Sequence, residues 1–111
     1  MMLKSLEAIE REYVEQENVV KYANIFSDIF GEVIGFVERR KHNFNETQIS
    51  VVSHEVLTTF EHKLRETMNM SVVPAATVQH AIKYYISRAQ GSIPDPVKPV
   101  LDQILCDATS F

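Results

Sequence analysis

Ten positions in the first third of the chain follow an alternating three-and-four spacing: Leu6, Ile9, Tyr13, Gln16, Val20, Ala23, Ser27, Phe30, Ile34 and Val37. This is the a/d rhythm of a coiled-coil seam, sustained over more than four heptads. Eight of the ten are apolar or aromatic, and no proline occurs before Pro74. The pattern predicts one long helix from Leu3 to Lys41. At 1.5 Å per residue such a helix spans roughly 55–60 Å. A compact domain of 111 residues has a radius of gyration of only ~13 Å. The helix therefore either breaks, with Asn18 and Gly31 as the candidate positions, or projects and covers its stripe against a second chain.

The stripe widens in its second half. Phe26, Ile29, Phe30, Val33, Ile34, Phe36 and Val37 occupy more than one face, as expected of a helix with several packing partners. Residues 1–17 are narrower in apolar coverage and acidic. Gly31 and Gly35 lie four apart on one side, which points to a close helix approach or a kink. A membrane-type Gly-x-x-x-Gly contact does not suit them, because Glu32, Glu38 and Arg39 flank the pair.

Three further helices follow. The basic run Arg39-Arg40-Lys41 suits a last turn, where cations meet the negative end of the helix dipole. Asn45 with Gln48 three residues on forms a capping-box pattern for a second helix over 46–69. Its apolar face is Ile49, Val52, Val56, Phe60, Leu64 and Met68. Pro74 opens a third helix over 74–90, with Val78, Ile82, Tyr85, Ile86 and Ala89 inward, Tyr84 at the edge and Gly91 as its stop. Asp95 and Pro96 suit the cap and first position of a fourth helix over 96–109, carrying Val97, Val100, Leu101, Ile104, Leu105 and Ala108. The expected fold is all-α and four-helix bundle-like. One domain covers 1–111, with 1–20 projecting as an arm. The scarcity of glycine and proline, 3 + 4 = 7, argues against a many-stranded alternative.

Charge and cysteine content narrow the function. The net charge is 11 − 15 = −4, opposite to the footprint most nucleic-acid-binding domains carry. The single cysteine, Cys106, allows no internal disulfide and no Cys-rich zinc site, and fits a reducing compartment. The acidic opening segment has no apolar signal core, and no apolar run approaches the ~18 residues of a spanning helix. A cytoplasmic protein without a membrane partner is expected.

No constellation of catalytic type emerges. His54 and His62 flank Glu55 and Glu61 without a His-Glu-x-x-His or Glu-x-x-His pattern, so no metal is expected. Glu7/Glu10 and Glu12/Glu15 are three apart, but no matching acidic motif exists for a facing helix to complete a Mg²⁺ site. Ser50, Ser53 and His54 point to different helix faces. Cys106 lacks neighbouring cations that would activate it and is expected to be a small buried hydrophobe. Glycines at 31, 35 and 91 cannot form a phosphate-binding loop. Neither a cofactor nor an enzymatic activity is expected.

The function expected is that of a non-enzymatic protein–protein interaction module: an adaptor, a chaperone-like subunit, or a regulator or inhibitor of another protein. It self-associates as a homodimer through its first helix. Leu6, Ile9, Tyr13 and Val20 are the expected dimer contacts, with Phe26, Phe30, Ile34 and Val37 as the densest contact. The alternative is a DNA-binding regulator of helix-turn-helix type using helices 46–69 and 74–90. In that case Thr77, Gln79, His80 and Lys83 would read bases, while Arg39, Arg40 and Lys41 would hold phosphates.

Overall fold

The computed structural model describes the backbone of residues 2–41 and 43–109 and the side chains of residues 18–41 and 43–109. It contains four α-helices: α1 (Met2–Arg40), α2 (Glu46–Thr67), α3 (Ala75–Arg88) and α4 (Lys98–Ala108). A 3₁₀ turn, Asp95–Val97, leads into α4. Among the described residues no strand is present. The four-helix, all-α architecture read from periodicity is the architecture observed.

α1 runs unbroken for 39 residues, about 58 Å of axis, through both Asn18 and Gly31. Gly31 is exposed, and a Cβ placed there would meet nothing within 4 Å; at Gly35 it would meet only Arg39 Nη1, at 3.4 Å. Neither glycine marks a close approach by another described helix of this chain. α1 ends where Lys41 turns left-handed, at φ 51°, behind the basic pair Arg39 and Arg40.

α2 begins with the expected reciprocal cap. Asn45 Oδ1 accepts from the Gln48 N–H at 2.8 Å, and Gln48 Oε1 accepts from the Asn45 N–H at 3.1 Å. It stops at Thr67, two residues short of the expected end, because Asn69 adopts φ 53° just past the Met68 cap. Asparagine is the side chain after glycine that best tolerates this conformation at a helix end. In α3, Pro74 is the cap rather than the first helical residue, and its carbonyl accepts from the N–H groups of Thr77 and Val78. α3 ends at Arg88, and Gly91, at φ 84°, serves the turn that follows.

The fourth helix corrects the sequence reading. α4 starts at Lys98, with Val97 at the cap position. Asp95 does not cap it. Its carboxylate pairs instead with Lys98 Nζ at 2.8 Å, and the Asp-Pro-Val segment winds into the 3₁₀ turn. Pro99 has no N–H to close a first α-turn onto the Asp95 carbonyl, and the Lys98 N–H closes the tighter 3₁₀ turn onto it instead.

The core lies between the second half of α1 and the other helices. α1 packs chiefly on α3 and secondarily on α2, while α4 packs on α2. Phe26 is fully buried at the centre, with ring centroids 5.6 Å from Phe30, 5.4 Å from Phe60 and 5.1 Å from Tyr85. Around these rings lie Leu64, Val78, Ile82, Val97, Val100 and Ile104, all fully covered. One polar group is embedded with them. The Ser53 hydroxyl donates to Asp107 Oδ2 at 2.7 Å and ties the end of α4 to α2. Gln103 reaches the other carboxylate oxygen, and the Gln79 side chain donates to the Ala108 carbonyl from α3.

Candidate interaction surface

The mismatch between α1 and everything else in the chain defines the surface. α2 is the next longest helix, with 22 residues and about 33 Å of axis. Its register against α1 follows from the Phe26–Phe60 contact. Phe60 lies 60 − 46 = 14 residues into α2, and Phe26 lies 40 − 26 = 14 residues back from the end of α1. Continued to Thr67, that register brings the end of α2 level with about residue 19 of α1. α3 stops at a similar level. Its last residue, Arg88, donates to Asn24 Oδ1 at 3.4 Å and stacks over the Tyr84 ring. The first 17 or so residues of the α1 axis, about 25 Å, therefore run past the ends of both neighbours. The overall dimensions agree. The longest extent is 57 Å against 30 and 22 Å, and the radius of gyration is 15.7 Å rather than the ~13 Å of a compact chain.

The residues expected to contact a partner divide into three groups. Phe26, Phe30 and Val37 are buried by the chain's own helices, so their assignment to a partner surface is corrected: they are core residues. The reason is the widened stripe, whose 26–30–37 face points at α3 and α2. Ile34 is half-buried against the same core, and Val20 is half-buried at its edge. The side chains of Leu6, Ile9 and Tyr13 lie outside the described residues, as do those of Glu7, Glu10, Glu12 and Glu15.

The alternative nucleic-acid set is dispersed. Arg39, Arg40 and Lys41 are exposed at the end of α1, and Lys83 and His80 are exposed on α3. Thr77 is half-buried, and the Gln79 side chain is already committed to the Ala108 carbonyl at 3.3 Å. A helix-turn-helix needs its two helices packed on one another across a tight turn. Here α2 and α3 are joined by the irregular segment 68–74 and make no extensive contact, each packing instead on α1 and α4.

Several surface features were not legible beforehand. Phe36, off the heptad stripe, stacks on Phe44 with centroids 6.0 Å apart, so the connector folds back onto α1. Val51 and Val72 are also exposed. Cys106 is exposed rather than buried, because the α4 stripe of Val100, Leu101, Ile104 and Ala108 places position 106 on the opposite side. A shallow cavity of about 200 Å³ opens between α1 and α3 beside Asn24, Ser27, Tyr85 and Arg88. Pockets that enclose small organic ligands are larger, at ~300 Å³ or more. Burial raises the Tyr85 hydroxyl above its ordinary pKa of 10.0, and the neighbouring Lys98 holds the Asp95 carboxyl below its ordinary 3.8. Among the described residues no three His, Cys, Asp or Glu side chains converge as a metal site would require. None of the helices is long and apolar enough to cross a membrane, among the same residues.

No protein-family model, curated protein or solved structure matches this chain.

Proposed function

We propose that the chain is a non-enzymatic protein-interaction module in which the second half of α1 builds a bundle and the first half docks onto a helix of another chain. The observation that carries this reading is the length mismatch. α1 has 39 residues, and no other helix of the chain exceeds 22. Most of the stability of a helix in a folded protein comes from packing an amphipathic face, so an extension beyond the bundle gains from a partner that covers its stripe. The heptad positions Leu6, Ile9 and Tyr13 supply such a face on the segment that passes its neighbours, and Val20 continues it where the bundle begins. A second copy offers the same stripe, so a homodimer is the simplest assembly. We place the module in the cytoplasm, where its single exposed thiol suits a reducing environment.

Sedimentation equilibrium at micromolar concentration tests self-association. A reversible monomer–dimer equilibrium is expected for the native chain, and the Ile9→Lys, Tyr13→Lys double variant should be monomeric with its helical circular dichroism largely intact. A single 12.7 kDa species at every concentration would remove the homodimer from the proposal.

A further inference from the structure

We infer that the preferred occupant of the α1 arm is a helix flanked by basic residues, contributed by a different protein, and that a second copy of this chain is the weaker competitor. The inference rests on the docking reading above and deepens it by naming the partner's chemistry. With Leu6 and Tyr13 at a positions and Ile9 and Gln16 at d, the residues bordering the seam at e and g are Ser5, Glu10, Glu12 and Glu17. Three of these four are glutamates and none is basic. The two cations of the segment, Lys4 and Arg11, both fall at f, on the side away from the seam. Both cations therefore lie off the flanks of the seam, whereas glutamates occupy three of the flanking positions, and Glu7 at b and Glu15 at c add further negative charge elsewhere on the helix.

In coiled coils the e and g residues set partner choice, because they meet the partner's e and g residues across the seam. In a parallel self-pair Glu12 meets the partner copy's Glu17. In an antiparallel one g meets g and e meets e. Glutamate faces glutamate in both orientations. A helix with Lys or Arg at its flanking positions turns each of those repulsions into an attraction, which is how charged flanks select one partner over another. The apolar seam supplies attraction to either occupant, so the difference between them lies in the flanks.

Two synthetic 21-residue helices test this against the full-length chain. Both carry Leu at the seam positions; one has Lys and the other Glu at every flanking position. Binding is read by fluorescence anisotropy at low and high salt. The Lys helix should bind about tenfold more tightly at low salt, on the basis of roughly a factor of two for each exposed pair, and added salt should bring the two affinities together. The chain carrying Glu10→Lys, Glu12→Lys and Glu17→Lys should reverse the preference, with circular dichroism checking that it remains helical. Ile9→Lys should lose both peptides. If both peptides bind the native chain equally and Ile9→Lys abolishes both, docking survives and the assignment of a basic partner is overturned. If neither binds, the docking reading fails and this inference fails with it.

Discussion

Gly31→Ala tests whether α1 is covered at its middle by anything the structure does not contain. Gly31 is exposed in the interior of a 39-residue helix, and a Cβ there would meet no atom within 4 Å. Alanine loses less backbone entropy than glycine on folding, which is the main source of its higher helix propensity and favours the folded state by about 1 kcal/mol. No steric term opposes this. At roughly 2.1 cal/mol/K per residue, the unfolding entropy of a 111-residue chain is about 0.23 kcal/mol/K, so 1 kcal/mol raises Tm by about 4 °C. Thermal unfolding by circular dichroism, paired with urea titration at constant protein concentration, measures it. A Tm that is unchanged or lowered would refute the reasoning. It would mean that a neighbouring helix from a second chain closes on the glycine face, and that the docking surface is the middle of α1 rather than its first half.

Other perturbations follow from particular contacts. Ser53→Ala removes the donor to Asp107 from a fully buried position and should cost about 1–2 kcal/mol in urea denaturation, with the end of α4 exchanging amide hydrogens first; an unchanged midpoint would count against that tie. Tyr85 carries a hydroxyl whose pKa is raised by burial in the folded state, so the folded chain holds its proton where the unfolded chain releases it. The stabilisation is present below pH 10, the ordinary value, and is lost as pH rises from there through the folded value; Tyr85→Phe should flatten the fall in urea midpoint above pH 10. Lys41→Gly relieves a left-handed residue at the end of α1 and should raise stability by up to about 1 kcal/mol, read as a higher Tm.

The parts of the fold legible in the sequence were those set by local pattern. The Asn45–Gln48 cap and the apolar spacing through Phe60 and Leu64 placed α2, and Tyr85 was correctly assigned inward with Tyr84 at the edge. The errors arose where tertiary context decides. Phe26 and Phe30 share the heptad run with Leu6 and Ile9, and periodicity alone does not state which part of a continuous stripe α3 and α2 cover. The Asp95 assignment failed because Lys98, one turn on, competes for the carboxylate and the two prolines favour a 3₁₀ turn. For Cys106 the general habit of a lone cysteine points inward, whereas the phase of the α4 stripe points it outward, and the phase decides. For the interaction surface, the sequence supplied the stripe but not the register of α2 and α3 against α1, and that register sets how much of α1 they accompany.

Backbone amide exchange over residues 2–17 is the most direct test, because it asks whether another chain covers the arm. The account predicts protection that rises with protein concentration, or on addition of the Lys-flanked helix, and that is lost in the Ile9→Lys variant. Protection of equal strength at every dilution and in that variant would show that the chain shelters its own stripe, and would contradict the account.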